Sequence, residues 1–442
     1  MSLTKRIIWA MVLGLALGVM INIASSQGWL AATFNNWIDV FIVDGLFDVV
    51  GRIFVASLKL LVVPLVFVSL VCGTASLGDN TRMGPMAGKT LVLYMFTTAV
   101  AISLALIAGT VVQPGAGIDL QQEVAFEPSA VPSLKDVVIN IFPDNPVQAM
   151  AAGNMLQVIV FAILMGIAIS RSGERGRQVA GFFNDFNDVI MKMVTMLMHL
   201  APYGVFCLLA KLFSGLGIDA IWKLGKYFFC VVGVLLLHGL GVYSLMLKLL
   251  AGLNPATFLN KLRPVMMFAF STASSNATIP VTLRTAEKRL GVDNSVASFT
   301  VPLGATINMD GTAIMQGVAT AFIAQAYGID IGLSGYMMVI MTATLASIGT
   351  AGVPGVGLIT LTMVLTQVGL PAEGIAFIIG VDRLLDMVRT AVNVTGDSMV
   401  SLVVAKTEGE LNEDMFATST EQLVAREEEE NGARALQATQ PG

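Results

Sequence analysis

Apolar runs long enough to cross about 30 Å of hydrocarbon recur through the first half of the chain, and this limits the fold more tightly than any other feature. Lipid offers a bare peptide group no hydrogen-bond partner, so each crossing needs about 20 mostly apolar residues in a helix. The runs predict helices at Ile7–Ile23, Leu46–Cys72, Thr90–Val112, Asn154–Ser170, Phe186–Phe213 and Leu224–Leu250. The chain is 55% hydrophobic and only 12% charged, against about 25% charged in an ordinary soluble domain. It reads as an all-α polytopic membrane protein, with the lipid bilayer as its first partner. "KRIIWAMVLGLALGVMINIASS" has the basic start, apolar run and small residues of a signal peptide, but the further spans that follow at once favour a first transmembrane helix. A net charge of −5 offers no basic face for nucleic acid. Cys72, Cys207 and Cys230 lie in apolar runs without metal-ligand spacing, and His199 and His238 lie far apart. A zinc or disulfide framework is not expected, and both histidines read as helix residues rather than ligands.

The connections set the orientation. Lys5 and Arg6 precede the first span, Arg82 and Lys89 lie between the second and third, Arg171, Arg175 and Arg177 follow the fourth, and Lys248, Lys261 and Arg263 follow the sixth. The segments Asn22–Asp44 and Gln113–Asn145 have almost no Lys or Arg. Positive-inside bias then places the N-terminus in the cytoplasm, with Lys211, Lys223 and Lys226 as a mild exception on the outer side.

The pattern changes after Leu250. "FLNKLRPVMMFAFSTASSNATIPVTLRTAEKRL" has two apolar arms around a Ser/Thr/Asn cluster, neither long enough to span alone, with basic residues at both ends. It predicts a re-entrant hairpin entered from the cytoplasm. "YMMVIMTATLASIGTAGVPGVGLITLTMVLTQV" repeats the design without charge and predicts a hairpin entered from outside. Two interrupted segments in corresponding places point to a transporter site at the midplane. Between them, "NMDGT" breaks a span and places Asp310 near its middle. A glycine kink accounts for Gly311, but a carboxylate at that depth points to function. The end, "EQLVAREEEENGARALQATQPG", reads as a disordered tail.

"DRLLDMVRTAVNVTGD" concentrates charge where charge is costly. On a helix, measured from Asp382, Asp386 falls at about 40°, Arg389 at about −20°, Asn393 at about 20° and Asp397 at about 60°. Thr390 lies at about 80° and Arg383 at about 100°. One polar stripe therefore faces protein or a pore. An ion-pair ladder Asp382–Arg389–Asp386 explains part of it. Three carboxylates and Asp310 still exceed the nearby arginines, and the excess must protonate or meet a cation. Asp397, Asp310, Asn393 and Asn308 suit a hard cation such as sodium. Arg389 beside Asp386 suits a zwitterion with an extra acid group.

"SSNATIPVT", "PLGATINMDGTA", "ASIGTAGVPG" and "DMVRTAVNVTGD" occur in that order over nearly the whole chain. Together they resemble the glutamate transporter family, the dicarboxylate/amino acid:cation symporters. The resemblance implies eight transmembrane helices plus two re-entrant hairpins, assembled as a homotrimer in the inner membrane with both termini cytoplasmic. It implies a scaffold (residues 1–77 and 114–223), a transport domain that moves like an elevator (78–113 and 224–415) and a cytoplasmic tail (416–442).

The resemblance also carries site residues. Arg389 would hold the substrate's side-chain carboxylate with Thr312. Asp386 and Thr390 would hold its amino group. Asn393 and the hairpin backbone at Ser275, Val353 and Gly357 would hold the main-chain carboxylate, aided by helix N-termini. Sodium ions, as cargo, would occupy three sets: Gly304, Asn308, Asn393 and Asp397; carbonyls of Thr306, Ser347, Ile348 and Thr350; and Tyr94, Thr97, Thr98, Asn308 and Asp310. No organic cofactor is implied. "LYMFTT", which supplies the last set, on its own reads as ordinary helix packing. Archaeal members carry an arginine where this chain has Ala273, and animal members carry one where it has Met387. Arg383 stands one turn away from Met387.

Three functions follow as expectations. A sodium-coupled symporter of acidic amino acids leads. Relatives that take dicarboxylates lack the aspartate that Asp386 represents, and bacterial relatives that use protons make proton coupling the rival. An intramembrane aspartyl protease using Asp310 and Asp397 as its dyad would need neither hairpins nor Arg389. An anion channel would need no uptake against a gradient. In the symporter, the Gly/Pro tip of "ASIGTAGVPG" would serve as a gate that closes only with both sodium and substrate bound.

Overall fold

The computed structural model describes residues 3–29, 32–76, 84–118, 142–216, 219–348, 350, 352–419 and 422. Arg82, most of the acidic segment 113–145 and the tail beyond Gln422 lie outside them. The described residues form an all-helical chain. Its long elements are α1 (Leu3–Ser26), α2 (Asp48–Ser76), α3 (Gly84–Val112), α4 (Met155–Arg171), α5 (Gly173–Met198), α6 (Ala201–Leu216) and α7 (Asp219–Leu236). Four helical stretches, residues 5–26, 33–75, 85–112 and 222–251, are long and apolar enough to cross a membrane.

The run expected as one helix over Phe186–Phe213 is two. α5 and α6 meet at a 46° bend. Pro202 has no N–H to give and fits the first turn of α6, where none is needed. The run ending at Leu250 is also irregular. Past α7 the backbone winds as a π-helix over Leu237–Val242, makes one α turn at Tyr243–Met246, and widens again over Leu247–Ala251.

Beyond it come α8 (Pro255–Thr272), α9 (Ser275–Thr285), α10 (Asn294–Ile307), α11 (Asp310–Ala326), α12 (Gly332–Ser347), α13 (Val356–Gln367) and α14 (Ile375–Glu408). At 1.5 Å per residue, α8, α9, α12 and α13 are about 27, 17, 24 and 18 Å long, too short to cross alone. α8 packs on α9 and α12 on α13. Local chemistry makes the breaks. Asn254 caps α8, its Oδ1 accepting from the Ala256 amide at 2.9 Å. α8 ends at Ala273, held left-handed at φ 50°, which costs a residue with a Cβ about 1–2 kcal/mol. Ser274 then restarts the chain as α9 by accepting from the Ala277 amide at 3.2 Å. Gly355, at φ 84°, turns the chain into α13. α10 and α11 are one span broken at Asn308 and Met309.

Packing divides the helices into two groups. α1, α2, α4, α5 and α6 contact one another, while α3 and α7 through α13 gather around the long α14. The two meet mainly where α13 lies against α2 and where α14 lies against α6. At the base of the α8–α9 pair, the buried Lys261 donates to the carbonyls of Arg289, Met415 and Phe416 at 2.9, 2.8 and 2.8 Å. The short helix Glu413–Ala417 is thereby strapped to that pair. Phe416, at the expected start of the tail, is buried.

Candidate functional site

The tips of the two helical pairs meet at the middle of α14. Gly352 of the second tip accepts hydrogen bonds from Ser274 Oγ at 2.7 Å and from the Asn276 amide at 3.1 Å. Beneath them lies a polar cavity of about 20 Å³, lined by Ser275, Thr312, Val353, Gly357, Asp386, Thr390 and Asn393. Seven of the eight expected substrate residues thus face one space. Arg389, the eighth, does not line the cavity but packs behind it: a Cβ on the lining Gly357 would stand 3.2 Å from both Nη1 and Nη2. The cavity has room for about one water molecule. Ala273 also lines it.

Arg389 is the largest fully buried side chain, 1% exposed. Its Nη1 donates to Asp382 Oδ1 and its Nη2 to Asp386 Oδ1, both at 2.8 Å. A guanidinium so placed tolerates burial because its fork matches two carboxylates. Asp386 is shared further. Its Oδ2 accepts from the Gly355 amide at 3.2 Å and from Arg383 Nη1 at 3.3 Å. Arg383 therefore reaches around the helix to the main stripe despite its angle of about 100°. The Thr390 hydroxyl bonds the backbone carbonyl of Asp386 at 2.8 Å.

One turn further along α14, the carboxamides take over. Asn393 Oδ1 accepts from the Gly311 amide at 2.7 Å, and Asn308 Nδ2 donates to the Asn393 carbonyl at 3.2 Å and to Asp397 Oδ1 at 2.9 Å. The break between α10 and α11 is thus pinned to α14 by side chains the sequence singled out. Gly304 belongs to the same cluster. A Cβ there would lie 2.5 Å from Asp397 Oδ1 and 2.6 Å from the Tyr94 hydroxyl.

Tyr94, Thr97, Thr98, Asn308 and Asp310 are all fully buried together. Thr98 donates to Asp310 Oδ1 at 2.6 Å, and Thr97 lies 3.5 Å from Asn308 Oδ1. The end of α12 joins through Ser347, whose hydroxyl donates to the Ile307 carbonyl and accepts from the Met309 amide at 3.2 Å. Ile348 and Thr350 are buried beside it. The Thr306 hydroxyl turns back to the Leu303 carbonyl at 2.9 Å, which leaves the Thr306 carbonyl, the group the resemblance points to, as its polar contribution. Oxygen donors of this kind suit a hard cation.

Two partners were read only as helix residues or not at all. His238 Nε2 and the Tyr243 hydroxyl lie 3.0 and 2.7 Å from Asp310 Oδ2. Five residues apart on an α-helix, they would face about 140° away from each other. The π-helical turn, with its i→i+5 spacing, brings them together.

This polytopic, tip-closed, carboxylate-rich architecture belongs to a known class. Residues 3–407 match the sodium:dicarboxylate symporter family, and the chain is a member of it. It is 36% identical over 420 residues to the "Proton/glutamate-aspartate symporter" of Escherichia coli (strain K12), covering 92% of this chain and 93% of that one. It is 35% identical to the "Proton/sodium-glutamate symport protein" of Bacillus caldotenax, with 83% and 88% covered. It is 34% identical to an "Excitatory amino acid transporter" of Caenorhabditis elegans, with 86% and 85% covered.

Proposed function

We propose that the chain is a secondary active symporter that imports aspartate and glutamate on a sodium gradient. The observation that carries the reading is Arg389, a buried guanidinium forked between Asp382 and Asp386, the second of which lines the cavity beneath the tips. A substrate carboxylate replaces Asp386 on Nη2, and its ammonium takes Asp386 in exchange, so charge stays balanced as the ligand enters. Thr312 assists the side-chain carboxylate, and Thr390 assists the ammonium. Asn393 and the tip backbone at Ser275, Val353 and Gly357 take the other carboxylate. A molecule of this size cannot enter a space of about 20 Å³. Entry requires the second tip to lift, breaking the Ser274–Gly352, Asn276–Gly352 and Gly355–Asp386 bonds.

Sodium occupies the three oxygen-rich sets around Asp397, Ser347 and Asp310. Coupling follows from a relay: Asn393 lines the cavity, and Asn308 joins the Asn393 carbonyl to Asp397. A cation that orders them prepares the substrate site, and by linkage the substrate tightens the cation. We assign α1, α2 and α4–α6 to the scaffold and the helices around α14 to an elevator-type transport domain. The two tip-bearing pairs act as re-entrant hairpins, in a homotrimer of the inner membrane with both termini cytoplasmic. Proton coupling is the second reading, favoured by the word "proton" in the relatives' names.

The substrate class is tested by competition for labelled L-aspartate in proteoliposomes. L-glutamate competes. Succinate, with both carboxylates but no ammonium for Asp386, competes at least about a hundredfold more weakly, because a site built for a polar group rejects the analogue lacking it. Equal competition by succinate would remove Asp386 from the site.

A further inference from the structure

We propose that His238 is a positioning residue for the transported cation, acting as a hydrogen-bond donor that holds Asp310. The inference rests on the reading of Asp310 as a sodium ligand. His238 is fully buried, and its Nε2 lies 3.0 Å from Asp310 Oδ2. A carboxylate only accepts, so Nε2 carries the hydrogen. Nδ1 is buried and has no hydrogen-bond partner.

The geometry gives this ring a task that packing alone does not require. Asp310 receives three donors, Thr98 on Oδ1 and both Tyr243 and His238 on Oδ2. They fix the plane of the carboxylate and satisfy part of its lone-pair demand. A lysine or arginine in the same place would hold Asp310 equally well but would repel a cation. The ring is fixed in turn by edge-on packing with Tyr243, centroids 4.6 Å apart. His238 lies in the π-helical stretch Leu237–Val242 and Tyr243 follows it directly, and such bulges recur at functional sites. Outer-shell donors of this kind typically tune metal affinity by roughly 10–100-fold.

The test is a sodium titration of the melting temperature of purified full-length protein without substrate, with aspartate affinity measured separately at saturating sodium. His238→Met removes the donor at similar volume, and His238→Gln keeps a neutral N–H. H238M should need about 10–100-fold more sodium for the same stabilisation. H238Q should stay within about threefold of wild type, and aspartate affinity at saturating sodium should change little in either, because Arg389 is untouched. If H238M does not fold, His238→Asn, too short to reach Oδ2, must show the same weakened sodium response. Equal sodium dependence in H238M and wild type, or equal impairment in H238M and H238Q, would reduce His238 to a packing residue. A wild type that does not respond to sodium would instead overturn the sodium reading, and this inference with it.

Discussion

Arg389→Ser lowers the apparent affinity for aspartate by at least about a hundredfold. Two losses combine. The substrate's side-chain carboxylate loses its only buried cationic partner of forked geometry. Asp382 and Asp386, each 2.8 Å from the guanidinium, lose theirs as well. Losing one partner of a buried charge pair to the substrate costs about 2–5 kcal/mol of binding, each 1.4 kcal/mol being about tenfold in affinity, while the stranded carboxylates cost stability. Small neutral amino acids gain, because Asp386 is freed to hold an ammonium while nothing demands an acid group. The double variant Asp382→Asn with Arg389→Ser separates binding from folding. It removes one stranded carboxylate, so it should recover thermal stability without recovering aspartate uptake. Uptake and binding assays on the two variants check this. Unchanged aspartate affinity in Arg389→Ser would refute the assignment of Arg389 to the substrate.

Gly304→Ala raises the sodium concentration for half-maximal uptake by more than about tenfold. Atoms at 2.5 and 2.6 Å from an added Cβ, the Asp397 carboxylate and the Tyr94 hydroxyl, sit well inside the ordinary contact distance of about 3.5–4.0 Å. Asp397 must turn, and with it goes its bond to Asn308. A ligand displaced by about 1 Å is enough to spoil a preorganised site. Gly233→Ala on α7 is the control. Its Cβ would meet nothing within 4 Å, so sodium dependence should match wild type, and helix propensity even favours alanine. A Gly304→Ala protein with wild-type sodium dependence would move the cation site away from Asp397.

Most of the architecture was legible in hydrophobic run length, because lipid leaves a chain few choices. The interrupted segments were legible too. Asn254-Pro255 and Ser274 are caps that any helix would use, and Gly355 turns where a side chain would be strained. The polar stripe on α14 followed from helical angles, and Arg389, Asp382 and Asp386 meet as those angles require. Three things were not legible. The bend between α5 and α6 depends on how a proline at the start of a turn is resolved against a continuous apolar run. The place of Arg383 depends on side-chain reach, since a long side chain spans an angle that Cβ positions do not. The approach of His238 and Tyr243 to Asp310 depends on π-helical winding, which no period-3.6 pattern reveals. A histidine in an apolar run was the available signal, and it read more readily as a helix residue than as a ligand.

The central claim is that sodium, bound by Asp310 and Asp397 and linked to the substrate through Asn308 and Asn393, drives accumulation of an acidic amino acid. The most direct test is labelled L-aspartate uptake into proteoliposomes under an inward sodium gradient alone or an inward proton gradient alone. Accumulation above equilibrium with sodium alone is the expected result. Accumulation with protons alone, and none with sodium, would mean that these carboxylates or a neighbour titrate during transport, and the sodium assignment would fall.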